Sequence, residues 1–322
     1  KEQLKVYAYA PGGIGSSIGG YLTGKGPLGQ AASPQSPRFV EGTGLAINTV
    51  PPNDFGHYEL LDALVQMEPP EALDTELAGQ FAAIGIVKDE KFAPDARLRA
   101  ILDDAVAVGN AASRTLGMAA HPTDDFRYYD GDSAWWIPLW VGGFEFTNPP
   151  PMITADGIKP YPNKGARRLH ARTAFLYTAT GISPAMCMRL TGVGSQYLVS
   201  NVDPDGDPFD GSKTYRLRLP KDIPAARFWS LTVYDNQTRS MLQTEQRFPR
   251  AGSQMYPSPA AEVEADGSTV VYFSPTRSDD VAPGNWIQTD PEKGWFTILR
   301  LYSPLQPFFD KTWRPGEIEP VT

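Results

Sequence analysis

Phe228-Trp229-Ser230-Leu231-Thr232-Val233-Tyr234 and Trp295-Phe296-Thr297-Ile298-Leu299-Arg300-Leu301-Tyr302 decide the fold. Both runs are built largely from aromatic and β-branched residues and contain neither Gly nor Pro, which reads as strand. Working outward, Tyr197-Leu198-Val199-Ser200, Thr214-Tyr215-Arg216-Leu217-Arg218-Leu219 and Val270-Val271-Tyr272-Phe273 repeat the signal. The second alternates cleanly, and the third follows an Asp266-Gly267 turn. Strands without intervening helices predict an antiparallel β-sandwich of jelly-roll type over residues 121–322. Contents of 30 Gly and 31 Pro agree with many turns. Pro304, Pro307 and Pro315 make the tail an irregular strap. The fold class expected is mainly β, with a helical subdomain.

That subdomain is read over residues 51–120. Asn53 or Asp54 caps a first helix after Pro51-Pro52, with Phe55, Tyr58, Leu61, Leu64 and Val65 on one face and Pro69-Pro70 as its stop. Asp74 caps a second helix, which places Leu77, Phe81 and Ile84 inward and ends at Gly85. Asp95 caps a third and longer helix with a seam of Leu98, Ile101, Ala105, Val108 and Ala112. Residues 165–181 predict one more helix, ended by Gly181. Residues 1–50 are rich in Gly and Pro. Leu4–Tyr9 alternates like a strand, and residues 10–44 read as an extended segment lying on another surface. Too few periodic apolar positions there to fold alone imply a homo-oligomer, or a strap across the chain's own sandwich.

A length of 322 residues with 20% charged and 41% hydrophobic side chains is that of an ordinary globular chain. The single cysteine, Cys187, excludes an intrachain disulfide, and its Ala185-Met186-Cys187-Met188 setting reads as core. No apolar run approaches the ~20 residues of a membrane span. No signal peptide is visible, and Lys1 rather than Met opens the sequence, which is expected if export or proteolysis has removed a leader. A net charge of −8 argues against general nucleic-acid binding. Residues 160–250 nonetheless hold 13 Lys/Arg against 7 Asp/Glu, a net of +6. That basic middle admits two readings, a local anion site or charged strand edges that discourage aggregation.

The strand motifs also carry a resemblance. Phe228–Asp235 runs on into Gln237-Thr238-Arg239-Ser240; Asn285-Trp286-Ile287-Gln288-Thr289 and Gly294–Tyr302 follow, and Lys311-Thr312-Trp313-Arg314-Pro315-Gly316 closes the chain. With Val50-Pro51-Pro52-Asn53-Asp54-Phe55 and Ser183-Pro184-Ala185-Met186, the sequence resembles the bacterial family built from domains of unknown function 1254 and 1214. The resemblance implies a first β-sandwich, then a helical region, then a jelly-roll-like sandwich. It also implies a periplasmic or secreted setting, since members commonly carry an export signal. Members have a long region before the part matching Lys1–Gly24, so residues 1–50 would be the remnant of an N-terminal β domain. A site shared between the sandwiches would then be incomplete. The family implies no reaction, so chemistry has to come from the residues.

Three histidines, His57, His121 and His170, occur without H-x-H, H-E-x-x-H or C-x-x-C spacing, so neither a metal nor any other cofactor is expected. Asp203-Pro204-Asp205-Gly206-Asp207 resembles a calcium loop, but Pro208 stands where glycine is needed and no Glu closes it. A hairpin turn explains it better. There is no G-x-S-x-G elbow, and Pro11-Gly12-Gly13-Ile14-Gly15 lacks the lysine of a phosphate loop. What remains is proton abstraction beside a sugar carboxylate, which needs a cation for the carboxylate and a Tyr or His to move the proton. The candidate catalytic residues are His170, Tyr177 and Arg239, within a basic middle that also includes Arg167, Arg168, Arg172 and Arg227. Tyr129, Trp135 and Trp136 are candidate sugar-stacking surfaces, and Tyr234, Asp235 and Asn236 are candidate substrate-binding groups at a strand end. Each has a plain structural alternative: tryptophans fill cores, and Arg239 pairs with Asp235 across the turn. Two functions follow, a lyase acting on an acidic, uronate-containing glycan, or a non-catalytic binding or assembly module of the cell envelope.

Overall fold

The structure, a computed structural model, describes residues 52–69, 75–118, 126–137, 152–159, 170, 173–174, 177–178 and 190–321. The expected strand at Leu4–Tyr9, the segment 10–44, the Asp74 cap, His121, Arg167, Arg168, Arg172 and Cys187 lie outside the described residues. Helix and strand take comparable shares, so the expectation of a mainly β chain gives way to a mixed one.

Among the described residues three helices come first: α1 (Gly56–Met67), α2 (Thr75–Ala83) and α3 (Ala96–Met118). Asp54 supplies the α1 start by accepting the Gly56 N–H at 2.9 Å. Asp95 caps α3 by accepting the Leu98 N–H at 2.7 Å. α2 ends as glycine allows. Gly85 takes φ +86, and the N–H groups of Gly85 and Ile86 bond back to the carbonyls of Ala82 and Phe81. Phe55 stacks on Phe92, and the Arg99 guanidinium lies 3.8 Å above the Phe55 ring, which ties the starts of α1 and α3 together. The α3 seam is a correction. Leu102 and Val106 are buried with Leu98 half-buried beside them, while Ile101 and Val108 are 45% and 68% exposed. In α1, Val65 is buried but Leu64 faces solvent.

Two four-stranded sheets follow, beside a small hairpin of β1 (Met152–Thr154) and β2 (Gly157–Lys159). One sheet holds, in order, β3 (Ser195–Ser200), β9 (Trp295–Pro304), β5 (Ala225–Asp235) and β6 (Arg250–Gly252). The other holds β10 (Ile318–Pro320), β4 (Tyr215–Leu219), β7 (Thr269–Ser274) and β8 (Trp286–Gln288). All pairs are antiparallel except β7 with β8. A four-residue helix, α4 (Gln306–Phe309), follows β9. The five strands read from sequence are β3, β4, β5, β7 and β9.

The pairs are nested. β5 pairs with β6, β4 with β7, and β3 with β9, and the nested pairs alternate between the two sheets. The Asp203–Asp207 stretch is a tight turn, with Val202 bridged antiparallel to Pro208, but it does not pair β3 with β4, which lie in different sheets. It is a crossover tightened by the Asp203 carboxylate, which accepts the N–H groups of Asp205 and Asp207 at 3.0 and 2.9 Å. Alternation sends Leu198, Leu231, Val233, Leu299 and Leu301 from one sheet, and Tyr215, Leu217, Val271 and Phe273 from the other, into one core.

Candidate functional site

The turn after β5 is built around one carboxylate. Asp235 is buried, and its Oδ1 accepts the N–H groups of Gln237 and Thr238 at 2.7 and 3.0 Å. Its other oxygen pairs with Lys293 Nζ at 3.2 Å. Burial alone would push the carboxyl up, but the Thr238 and Gln237 N–H groups and the Lys293 ammonium outweigh it and hold it below the ordinary range. The Arg239 N–H closes the turn on the Asp235 carbonyl at 2.8 Å. Arg239 itself sits at φ +62, a left-handed conformation costly for any residue but glycine.

That backbone turns the Arg239 side chain away from Asp235. Its guanidinium lies 4.1 Å from the centre of the Tyr177 ring, a cation–π contact. Tyr177 and His170 both have helical backbone. Tyr177 can approach because α3 offers Gly117, where a Cβ would stand 3.3 Å from Tyr177 Cδ1. Arg114 of α3 reaches the same turn by donating to Gln237 Oε1. The Tyr177 hydroxyl and Arg239 Nε are both buried without a hydrogen-bond partner. Arg239 and Tyr177 are thus brought together as the sequence suggests. His170 is exposed, and no described contact links it to the pair.

The remaining candidates divide. Tyr129, Trp135 and Trp136 are 3%, 0% and 2% exposed, which corrects their reading as sugar platforms. Trp135 Nε1 donates to the Gly316 carbonyl and Trp136 Nε1 to Asn201 Oδ1, both at 2.8 Å, while Tyr129 packs edge-on against Tyr128. The two indoles bring both size and a satisfied polar handle to the core, whereas the Tyr129 hydroxyl is buried without a hydrogen-bond partner. Asp235 is occupied in its turn, and Asn236 packs on Gly294, where a Cβ would meet Asn236 Nδ2 at 2.3 Å. Tyr234 is half-buried, stacked on Phe296 and bonded through its hydroxyl to Arg300. Arg227 is exposed. Sequence reasoning passed over Arg250 and Arg300. The available signal was a lone arginine at a polar position of the otherwise apolar run 295–302.

Among the described residues, no group of three or more His, Cys, Asp and Glu side chains gathers to hold a metal. No helix among them is long and apolar enough to cross a membrane.

Fold and site define a two-sheet β domain preceded by helices, with its polar constellation at the turn leaving β5. Residues 194–306 match the family described as "Protein of unknown function (DUF1214)", so a DUF1214 domain spans β3 to the start of α4. No curated protein matches the chain. Among solved structures it is similar to the VPA0106 protein from Vibrio parahaemolyticus, with 16% identity, a TM-score of 0.42, and coverage of 95% of this chain and 61% of that one. An uncharacterised protein from Burkholderia cenocepacia is similar over 40% of this chain and 29% of its own, with 20% identity and a TM-score of 0.27. The chain therefore spans 61% of the length of the Vibrio protein.

Proposed function

We propose that the chain is a non-catalytic binding or assembly module of the bacterial cell envelope. In this reading it is the C-terminal part of an exported protein that joins a 1254-type domain to the DUF1214 domain. The observation that supports it is the filled interior. The aromatic groups that a glycan-cleaving groove would expose are core, and no described contact joins His170 to Arg239. Nested antiparallel pairs alternating between two sheets support a jelly roll that carries β8 as a parallel addition. Large apolar side chains left in solvent, among them Leu60 and Met67 of α1 and Ile101 and Val108 of α3, support a homo-oligomer. Light scattering of the intact chain at micromolar concentration should exceed the 35.2 kDa of one copy, and that single-copy mass would overturn the assembly.

A second reading keeps the acidic-glycan lyase, because Arg239 lies on Tyr177 and the tyrosine hydroxyl has no partner. There Arg239 holds a substrate carboxylate and Tyr177 moves the proton. An ultraviolet screen for unsaturated products on a panel of uronate polymers decides between the two. The module reading expects no product. Product formation abolished by Arg239→Ala, with an unchanged melting temperature, establishes the lyase instead.

A further inference from the structure

Two guanidinia meet at one residue of the turn leaving β5. Arg114 of α3 donates to the Gln237 side-chain oxygen, and Arg239 donates from Nη1 to the Gln237 carbonyl at 3.4 Å. The Gln237 amide is held from its other end, where Nε2 donates to Asn236 Oδ1 at 2.9 Å. Among the described residues neither arginine forms an ion pair. Asp235, the carboxylate of this turn, is taken up by two N–H groups and Lys293. The place is open to solvent: Gln237 and Thr238 are exposed, and Arg114 and Arg239 are half-buried. Of the Arg239 nitrogens only Nε is buried without a partner. Among the described residues Nη2 makes no hydrogen bond either, but it is not buried and a ligand can reach it.

The turn carries costs that its shape does not require. Arg239 holds a left-handed backbone at φ +62, where a glycine would make the same turn without strain. Its guanidinium is kept over the Tyr177 ring at 4.1 Å, while Nε and the hydroxyl of Tyr177, a residue only 8% exposed, both lack a partner. Strain and unpaired polar atoms gathered at one solvent-facing turn mark a binding site rather than packing. The tyrosine fixes the guanidinium and leaves Nη2 for a ligand. Gln237 shows the ligand's chemistry. Its planar amide already gives Arg114 an acceptor, and a carboxylate has the same planar shape with a full charge. Hydrogen bonds from a guanidinium to a charged acceptor are roughly twice as strong as neutral ones, so a carboxylate displaces the amide. A tetrahedral phosphate lacks that planar match.

We propose that this turn binds a carboxylate, which Arg114 and Arg239 receive in place of the Gln237 side-chain amide. The inference rests on the module reading, in which the ligand is held and not altered, and it adds Arg114 to the Arg239–Tyr177 pair. Isothermal titration of the intact chain with succinate, with neutral succinamide and with inorganic phosphate at one ionic strength tests it. Succinate should bind about tenfold more tightly than succinamide, and phosphate more weakly than succinate. Arg114→Gln should weaken succinate binding by about tenfold with an unchanged melting temperature, since its bond to Gln237 is exposed. Gln237→Glu should weaken it by a similar factor, because a built-in carboxylate then occupies the guanidinia, and this variant decides the matter if Arg114→Gln melts early. Gln237→Ala removes only the competing amide and should bind at least as tightly as the unaltered chain. A merely structural Gln237 would not separate its two variants. The proposal is overturned by absent succinate binding, by equal affinity for succinamide or phosphate, by Arg114→Gln or Gln237→Glu binding normally, or by Gln237→Ala losing affinity. None of these results touches the module reading. Unsaturated products from a uronate polymer would sink that reading instead and leave the Arg114 dependence to be measured.

Discussion

Asp235 shows what a single side chain at a strand end can be mistaken for. In sequence it stands with Tyr234, Asn236 and Arg239, a polar set of the kind that binds substrate, and Arg239 is its natural salt-bridge partner. The structure gives the carboxylate to two backbone N–H groups and Lys293 instead, because the left-handed backbone at Arg239 directs that guanidinium to Tyr177. A turn-forming aspartate and a ligand-binding one have the same residue type and neighbours, so sequence does not separate them. Asp235→Ala should cost roughly 1–3 kcal/mol, since it strands buried N–H groups. Lys293→Ala should cost under about 1 kcal/mol, since that ammonium is largely solvated. The folded carboxyl lies below its unfolded value, so the stability it contributes is complete above the unfolded value and is lost as pH falls through the folded one. The urea midpoint gap between the unaltered chain and Asp235→Asn should therefore be full at neutral pH and shrink below about pH 4. A gap that widens on acidification would contradict this.

At the scale of elements, legibility followed length. β5 and β9, with 11 and 10 residues, could be read because their strand-forming residues persist over many positions. β6, β8 and β10 have three residues each, too few to carry a period, and they exist because longer strands offer an edge. α3 was legible as a helix from its Asp95 cap, yet its buried face was not. Leu98 begins two apolar stripes, one through Ile101 and Val108 and one through Leu102 and Val106. They differ by about 100° of rotation. Only packing chooses between them, and Phe55, Phe92 and Arg99 lie at the end where that packing starts. Arg250 and Arg300 were hidden for a related reason. They are 50 residues apart, and the register that sets them across β5 is not written in either strand alone.

For the molecule as a whole, the nested order carries the chain from one sheet to the other at five of the seven connections between β3 and β10, and side chains hold the two inner faces together. The joint is an aromatic cluster at the start of β9. Trp295 stacks on Phe209 of the crossover at 4.3 Å and on Phe273 of the facing sheet at 4.8 Å, and meets Tyr215 edge-on at 5.6 Å. All four are nearly sealed from solvent, and the Trp295 N–H donates to the Phe209 carbonyl. One indole therefore binds β9, β7, β4 and the crossover. Trp295→Ala should lower stability by roughly 3–5 kcal/mol, because a rigid aromatic neighbourhood collapses poorly into the space left behind. Trp295→Phe should cost clearly less. It keeps a ring against Phe209 and Phe273, and the indole Nε1 it removes is buried without an acceptor, so no hydrogen bond is lost. Guanidinium denaturation of the three proteins measures both effects. If alanine costs under about 1 kcal/mol, or phenylalanine costs as much as alanine, the two sheets are held together elsewhere and the cluster is filler rather than the joint.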